Sequence, residues 1–213
     1  MIRKLLLVGG GGHCRSVISA LRAGDMEYEK IGIVDRREKA GQEIGGIAIV
    51  GEDDDLEQLY SQGYTDAFIT LGSVGNPQKR KQLFRKIKEI GFHVPNIIDR
   101  SCVISDDARL GEGIFAGKGS VINSGAIVAD GCIINTSATI EHDCEIDAFV
   151  HMATGSVLCG EVRIGADTHI GANATVIQGI CIGKNVIIGA GSVIIRNVED
   201  GVTIIGNPGR VIS

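Results

Sequence analysis

The sequence contains few aromatic residues, few prolines and no surplus of positive charge. Aromatic residues make up 4% of its 213 residues, tryptophan is absent and only three prolines occur. The 26 aspartates and glutamates outnumber the 21 lysines and arginines, which gives a formal net charge of −5. Nucleic-acid-binding proteins normally carry a basic surplus, and collagen needs glycine at every third position together with abundant proline. The composition therefore excludes collagen and argues against a nucleic-acid partner.

Long apolar runs and paired cysteine motifs are also missing. The longest apolar stretch near the amino terminus covers residues 5–8, which is too short for a signal peptide or a membrane span. None of the six cysteines forms a C-x-x-C pair, so a zinc ribbon and a thioredoxin motif have no support. We therefore expect a cytoplasmic protein without membrane association, whose cysteines are small buried side chains.

Residues 1–96 show strand and helix patterns that alternate along the chain. Strand patterns cover residues 4–8, 31–34, 47–50 and 67–71, and helical patterns cover residues 13–22, 56–60 and 76–90. Strands that alternate with helices predict a parallel sheet with helices on its faces. The first part of the chain is therefore predicted to be a Rossmann-like α/β domain.

The loop after the first strand is a run of four glycines, Gly9 to Gly12, followed by His13. Such a loop at the start of a helix presents backbone N–H groups that can bind phosphate. The dinucleotide fingerprint G-x-G-x-x-G fails here, because its third glycine would fall on Cys14 or Arg15. Asp35 ends the second strand, where a carboxylate can accept a hydrogen bond from a ribose or a base. A structural glycine turn and a solvated aspartate remain the alternative.

From residue 97 the pattern changes to a strict period of six. Seventeen positions six residues apart carry Ile, Leu, Val or Met with one alanine, and the residue four later is always small or β-branched. The first series is Ile98, Ile104, Leu110, Ala116, Ile122, Val128, Ile134, Ile140, Ile146, Met152, Leu158, Ile164, Ile170, Val176, Ile182, Ile188 and Ile194. A hexapeptide repeat predicts a parallel β-helix, in which three hexapeptides form one triangular coil. Residues 97–213 are assigned to this domain, with the glycines that follow many of the aliphatic residues at its turns.

The whole chain resembles the sialic acid O-acetyltransferase NeuD family of hexapeptide-repeat acyltransferases. That family includes PglD-type enzymes, which N-acetylate nucleotide-linked amino sugars. The resemblance covers nearly all of the sequence. It is carried by the glycine run with Asp35, the hexapeptide column, the segment INTSATIEHDC at residues 134–144 and the segment GNPGR at residues 206–210.

The resemblance implies a left-handed β-helix and an acetyltransferase that needs acetyl-CoA but no metal. An outer β-helix face with few charges indicates association, so we expect a homotrimer. His142 matches the general base of the family, and Asp143 matches the acidic residue that raises its basicity. A neutral imidazole beside a carboxylate suits proton removal near neutral pH. Gly160 lies eighteen residues after His142, one coil further on, and matches the glycine whose N–H stabilises the oxyanion.

Two further groups of residues match binding positions of the family. His151, Ala172 and Ala190 correspond to acetyl-CoA contacts, and corner packing is the alternative for the two alanines. Residues of the glycine loop and the second strand correspond to contacts with the acceptor sugar, namely Gly11, Gly12, His13 and Asp35. The acceptor is expected to be a UDP-type amino sugar in surface glycan biosynthesis, and a sialic-acid-type sugar that is O-acetylated is the alternative.

Two hypotheses from other functional classes remain open from the sequence alone. Hexapeptide columns also carry carbonic-anhydrase-like zinc sites built from histidines, and His142, His151 and His169 could serve as ligands. A β-helix can also be a non-catalytic scaffold or binding module.

Overall fold

The computed structural model describes residues 3–24, 27–36, 39 and 41–213. An α/β domain comes first in the chain, and a parallel β-helix follows it. This is the fold class that the two sequence patterns predict, a Rossmann-like domain followed by a left-handed β-helix. The boundary between residues 96 and 97 stays a prediction.

The amino-terminal sheet contains five strands in the order β3-β4-β2-β1-β5. Their bounds are Lys4–Val8 (β1), Lys30–Val34 (β2), Glu43–Ile44 (β3), Ile47–Gly51 (β4) and Asp66–Ile69 (β5). All neighbours are parallel except β3, which forms an antiparallel hairpin with β4. Residues 5–8 of β1 are fully buried, as expected for the central strand of a sheet with both faces covered. The short strand β3 has no apolar alternation of its own and was not predicted.

Three helices cover this sheet: α1 (Gly12–Ala23), α2 (Leu56–Ser61), which follows a 3-10 turn at Asp53–Asp55, and α3 (Gln78–Ile90). Helix α1 packs on one face of the sheet through Val17, Ile18 and Leu21. Helices α2 and α3 pack on the opposite face. The three predicted helices are therefore confirmed, with ends that differ by a few residues.

The β-helix has three sheets built from strands of two or three residues each. The first sheet holds Val103–Ile104 (β7), Val121–Ile122 (β10), Thr139–Ile140 (β13), Val157–Leu158 (β16), Thr175–Val176 (β19) and Val193–Ile194 (β22). The second holds Arg109–Leu110 (β8), Ile127–Val128 (β11), Glu145–Ile146 (β14), Arg163–Ile164 (β17) and Cys181–Ile182 (β20). The third holds Ile97–Ile98 (β6), Phe115–Ala116 (β9), Ile133–Ile134 (β12), His151–Met152 (β15), His169–Ile170 (β18), Ile187–Ile188 (β21), Thr203–Ile205 (β23) and Arg210–Val211 (β24).

From β6 to β22, strand residues pair with those eighteen positions away, as Ile140 does with Leu158. The offset falls to sixteen in the last coil, where Ile187 pairs with Thr203. The aliphatic side chains of the repeat point inward and form one continuous core. Only the first members of the series, at the open end of the column, are partly exposed. The hexapeptide period thus sets both the shape of the coil and the register between coils.

The glycines that follow the inward aliphatic residues have a different role from the predicted one. We expected them at the turns, but the left-handed backbone lies two residues later, for example at Gly131 and Asp143. The glycines directly after the aliphatic residues lie where successive coils touch. A Cβ added to Gly171 would come within 2.6 Å of the backbone nitrogen of Ala190. Close packing between coils, rather than turn geometry, therefore requires glycine there.

The α/β domain rests on the third sheet of the β-helix. The outward side chains Ile97, Phe115 and Ile133 belong to the same buried cluster as α1. His151 and His169 continue this outward row one and two coils further on. The outward row of the second sheet is polar by contrast, with Arg109, Glu145 and Arg163 among its members. The apolar outward row therefore marks the face that carries the α/β domain.

The six cysteines are all free thiols. Cys14, Cys132 and Cys144 are buried as predicted, and Cys102 and Cys159 are partly exposed. The prediction of burial is wrong for Cys181, which points outward from β20 and is exposed. In the part of the chain that the structure describes, no helix is both long and apolar enough to cross a membrane.

The narrow core of the column leads to a stability prediction. Ile134 is 0% exposed, and replacing it with alanine should lower the free energy of unfolding by about 2–5 kcal/mol, because the cavity cannot close. Ile212 is 59% exposed, and Ile212→Ala should change it by less than about 0.5 kcal/mol. Urea unfolding of both variants at one protein concentration measures the difference. Equal losses for the two variants would contradict this account of the core.

Candidate active site

His142 lies at the corner between the first and second sheets of the β-helix, between β13 and β14. Asp143 follows it with a left-handed backbone, φ 57°. This turn directs the carboxylate back to the imidazole, and Nδ1 of His142 donates a hydrogen bond to Oδ2 of Asp143 at 2.9 Å. Both side chains are about half exposed or more, so the pair is open to a ligand. In the neutral imidazole this bond leaves Nε2 as the hydrogen-bond acceptor.

Two glycines make room for this pair. A Cβ on Gly160 would lie 2.4 Å from Nε2 of His142, and a Cβ on Gly125 would lie 2.5 Å from Oδ1 of Asp143. The imidazole therefore lies over Gly160 in the next coil, and the carboxylate lies over Gly125 in the preceding coil. Gly160 is buried, and its N–H donates no hydrogen bond to the described residues. This arrangement fixes the position of the ring and keeps one N–H beside it unused.

The surroundings make His142 more basic. The hydrogen bond to Asp143 is the largest cause, and the negative charges of Asp143, Glu141 and Glu161 add to it, so the pKa of His142 is raised above its ordinary value. A raised pKa makes the neutral ring a stronger proton acceptor. The predicted relation between His142 and Asp143 is therefore present in the geometry.

A separate cleft of about 740 Å³ opens at the carboxyl ends of β1, β2, β4 and β5. This edge of a parallel sheet is where ligands bind in open α/β folds. Helix α3 forms the opposite wall of the cleft. The lining residues are Gly9, Val34, Asp35, Arg36, Glu52, Asp53, Asp54, Leu71, Lys79, Gln82, Leu83 and Lys86.

Asp35 lies at the centre of the strand ends and against the glycine loop. A Cβ on Gly10 would lie 2.3 Å from its Oδ2, so any larger residue there would displace the carboxylate. Burial alone would raise the pKa of Asp35, but hydrogen bonds from Lys39 and from the N–H of Arg36, with their positive charges, outweigh it and lower the pKa. The carboxylate is thus ionised and holds its place in the cleft.

The glycine loop leads directly into helix α1. Gly11 is the N-cap and Gly12 the first helical residue, and no atom lies within 4 Å of a Cβ added to either of them. The helix start is therefore open, as an anion site needs. The imidazole of His13 instead turns away to the domain junction, where it packs edge-on against Phe115 with ring centroids 4.9 Å apart. Burial is the main cause that lowers the pKa of His13, to about 4.

His151 and His169 also lie at the domain junction and not at the corner of His142. His151 donates a hydrogen bond through Nδ1 to the carbonyl oxygen of Ser73 at 2.6 Å, and its ring lies 4.9 Å from that of His169. Burial is the main cause that lowers the pKa of His151, to about 3, and burial also lowers the pKa of His169. Both rings are therefore neutral at physiological pH.

Ala172 and Ala190 follow β18 and β21 at the corner between the third and first sheets. The N–H of Gly191 donates to the carbonyl oxygen of Ala172, which keeps the two alanines in register one coil apart. Ala172 is half-buried and Ala190 exposed, so the two form a smooth edge.

The predicted site residues thus fall into separate groups within one chain. His142, Asp143 and Gly160 form one group, and the two alanines form another across the first sheet. His142 lies on the corner opposite the face that carries the α/β domain, and it is not among the residues that line the cleft with Asp35. The zinc-enzyme hypothesis needs His142, His151 and His169 to converge on one point, and they do not. Among residues 3–24, 27–36, 39 and 41–213, no group of three or more His, Cys, Asp or Glu side chains could hold a metal ion.

Sequence reasoning missed the α3 wall of the cleft and the polar residues of the domain junction. Lys79 and Lys86 reach across the cleft, where Lys79 pairs with Asp53 at 2.7 Å and Lys86 with Asp54 at 3.2 Å. The helical spacing of residues 79, 82, 83 and 86 could have indicated a common face, but nothing in the sequence places that face over the strand ends.

Known proteins match this chain along its whole length. The family described as PglD N-terminal domain matches residues 4–87, and the bacterial transferase hexapeptide family, described as six repeats, matches residues 161–196. The acetyltransferase domain of PglB from Neisseria gonorrhoeae FA1090, solved with acetyl coenzyme A, is 33% identical. It superposes with a TM-score of 0.92, covering 100% of both chains.

PerB from Caulobacter crescentus, solved with CoA and GDP-perosamine, is 36% identical with a TM-score of 0.91. The match covers 100% of this chain and 99% of that chain. WeeI from Acinetobacter baumannii AYE is 22% identical with a TM-score of 0.79 over 98% of this chain and 100% of that chain, which shows the same fold.

The hexapeptide column and its accessible histidine–aspartate pair define an acyltransferase of the hexapeptide-repeat class. Two relatives that match over their full length are more than 30% identical to this chain, which identifies the family within that class. The chain belongs to the PglD-like family of acetyltransferases.

The pKa of His142 gives a pH prediction. If His142 is the base, it must be neutral to accept a proton, so kcat/KM should fall as the pH drops through its raised pKa. Asp143→Asn removes the largest cause of that raised pKa. The acidic limb of the pH profile should therefore move to lower pH, and the plateau should fall because the base is weaker.

Glu145→Gln is the matched control, because Glu145 pairs with Arg163 on the neighbouring strand and does not contact His142. Its pH profile should equal that of the wild type. An acidic limb that Asp143→Asn leaves in place would show that His142 is not the titrating group.

Proposed function

We propose that the chain transfers the acetyl group of acetyl-CoA to the amine of a nucleotide-linked amino sugar, with His142 as the general base. The observation that carries this proposal is the Nδ1–Asp143 hydrogen bond, which orients a basic Nε2 at an open corner of the column. The relatives solved with acetyl-CoA or with CoA and GDP-perosamine support the two substrates. A UDP-linked amino sugar of surface glycan biosynthesis is our expected acceptor.

The transfer needs one proton acceptor and one oxyanion donor. The sugar amine attacks the thioester carbonyl and forms a new C–N bond, while Nε2 of His142 takes the amine proton. The N–H of Gly160, which has no acceptor among the described residues, stabilises the resulting oxyanion. The C–S bond then breaks, and CoA leaves as the thiolate, which the protonated His142 can neutralise. No covalent enzyme intermediate is required.

The acceptor binds in the cleft at the strand ends. Its nucleotide phosphates face the open start of α1 at Gly11, Gly12 and the backbone of His13. Asp35 accepts a hydrogen bond from the ribose or the base. A free sialic acid has a carboxylate but no diphosphate, ribose or base, so it would leave Asp35 without its proposed partner. The cleft therefore favours the nucleotide-linked sugar over sialic acid O-acetylation.

Acetyl-CoA lies along the column. The edge of Ala172 and Ala190 leaves space for the extended pantetheine arm, since neither side chain reaches beyond its Cβ. His151 was expected to contact acetyl-CoA as well. Its Nε2 is buried and has no hydrogen-bond partner among the described residues, so any such contact must come from the side of the domain junction.

A homotrimer brings the separated groups together. The outward residues of the first sheet carry no charge: Val103, Val121, Thr139, Val157, Thr175 and Val193. This face lies between the corner of His142 and the edge of the two alanines. Association along it places His142 of one protomer beside the cleft of another. Six free thiols also support the reducing cytoplasm as the location of the enzyme.

A thiol-release assay with acetyl-CoA tests the activity. We expect release with UDP- or GDP-linked amino sugars and none with free sialic acids. His142→Ala should reduce turnover by about 100-fold or more, because the general base is lost. Near-normal turnover in His142→Ala would overturn the assignment of the base, and release with sialic acids alone would overturn the acceptor.

A mixing experiment tests the shared site. His142→Ala and Asp35→Ala subunits, each weak alone at low acceptor concentration, are refolded together in equal amounts. If each site takes His142 from one protomer and Asp35 from another, about one quarter of the sites in the mixture are intact. A site within one chain predicts that no intact sites form, so mixtures no more active than their parents would contradict the trimer.

A further inference from the structure

Helix α3 has two faces with different partners. Lys79, Gln82, Leu83 and Lys86 face the cleft at the strand ends. The opposite face runs along one corner of the β-helix, between the second and third sheets. There Lys88 pairs with Glu112 at 2.7 Å, and Phe84 packs edge-on against Phe149 with ring centroids 5.3 Å apart.

Arg80 lies in the first turn of α3 on this second face and is only 3% exposed. Its Nη2 donates hydrogen bonds to the carbonyl oxygens of Gly131 at 2.7 Å and Phe149 at 3.0 Å. Lys81, the next residue, pairs with the partly buried Asp167 at 2.5 Å. Gly131, Phe149 and Asp167 are eighteen residues apart, so one helix binds the same corner position in three successive coils.

The corner carbonyls of the column explain why a cation is buried there. A corner residue donates its N–H to the coil below, as Gly131 does to Glu112, but its own carbonyl oxygen receives no N–H from the coil above. Water can satisfy such a carbonyl at an open corner. Beneath α3 water is excluded, and an unpaired buried carbonyl is costly. Arg80 supplies the donors that water supplies elsewhere.

The remaining donors of Arg80 point to the junction where His13 and His151 lie. Nη1 of Arg80, Nε2 of His13 and Nε2 of His151 are all buried without a partner in the part of the chain that the structure describes. The charge of Arg80 also acts on both imidazoles. The charge of Asp167 acts on Arg80, but among the described residues no carboxylate accepts a hydrogen bond from it. Burying this cation costs hydration, which its hydrogen bonds to the column must offset.

We infer that Arg80 is a positioning residue for acetyl transfer, which fixes the cleft of the α/β domain relative to the β-helix. This inference rests on the proposed function, because it assigns the two substrates to the two domains. The backbone of residue 80 joins a cleft wall at Lys79 to a column contact at Lys81. Helix α3 packs on the sheet in one buried cluster, so the two walls of the cleft move together. A small rotation of the whole α/β domain on the column would therefore move the acceptor amine relative to the acetyl group, while the cleft itself stays intact.

The experiment separates acceptor binding from turnover. Arg80→Met keeps the volume of the side chain but removes both hydrogen bonds to the column. We expect kcat to fall by about 10- to 100-fold, because a misplacement of about 1 Å is enough for such a loss. The Kd for UDP or GDP, measured by calorimetry, should stay within about twofold of the wild type, because the cleft residues are unchanged.

Lys88→Met is the matched control, since Lys88 lies on the same face of α3 but pairs with Glu112 near the surface. Its kcat and Kd should equal those of the wild type. Should Arg80→Met fail to fold, Arg80→Lys takes its place. It keeps the charge, but the lysine chain is one bond shorter, so Nζ cannot take the position from which Nη2 reaches both carbonyls. The same fall in kcat with unchanged Kd is therefore expected.

Two results would overturn the inference. Either a folded Arg80 variant keeps the wild-type kcat, or Kd rises as much as kcat falls, which means that the cleft itself is damaged. A wild-type protein that acetylates no acceptor contradicts the proposed function instead. Amide hydrogen exchange in α3 then decides the docking role, with at least about tenfold faster exchange expected in Arg80→Met and no change in Lys88→Met.

Discussion

The regular pairing of strands eighteen residues apart, which holds from β6 to β22, is the constraint on which the rest of the structure depends. Inter-coil hydrogen bonds hold that register, and one inward aliphatic side chain per hexapeptide fills the core. Because the register is fixed, a side chain at one corner has a known neighbour in the next coil. His142 lies over Gly160 and Asp143 over Gly125 for this reason. The column therefore places the candidate base as firmly as a rigid strand places its own side chains.

The column was predictable because a short period repeats many times. All seventeen hexapeptides show the same pattern, so their spacing predicts the strands and the inward core. The same spacing also predicts that His151 stacks on His169. The alternating elements of the α/β domain were predictable for a similar reason, since a buried strand such as residues 4–8 differs plainly from an amphipathic helix. Local patterns of this kind also placed the glycine loop before α1 and Asp35 at a strand end.

What joins the two parts was not predictable from the chain. The outward row of Ile97, Phe115 and Ile133 is a usable signal for a covered face, but the imidazoles of His13 and His151 turned out to belong to the same junction. A histidine near a phosphate loop and a histidine on a column suggest ligands when each is considered alone. Burial between two domains depends on tertiary contacts between residues that are far apart in sequence. The local repeat pattern of a sequence does not indicate such contacts.

The fixed register also restricts how the length of such a chain can change. An insertion or deletion of one residue inside a strand would turn its inward aliphatic residues toward water. The last coil is two residues shorter between its strands and still keeps Ile204 in the core. A change of eighteen residues instead adds or removes one whole coil of about 4.8 Å and leaves all corners aligned. Beyond Gly160 the column can therefore grow or shrink in whole coils without moving His142. If acetyl-CoA lies along the edge of Ala172 and Ala190 as proposed, each added coil would lengthen the surface available to it, and each lost coil would shorten that surface.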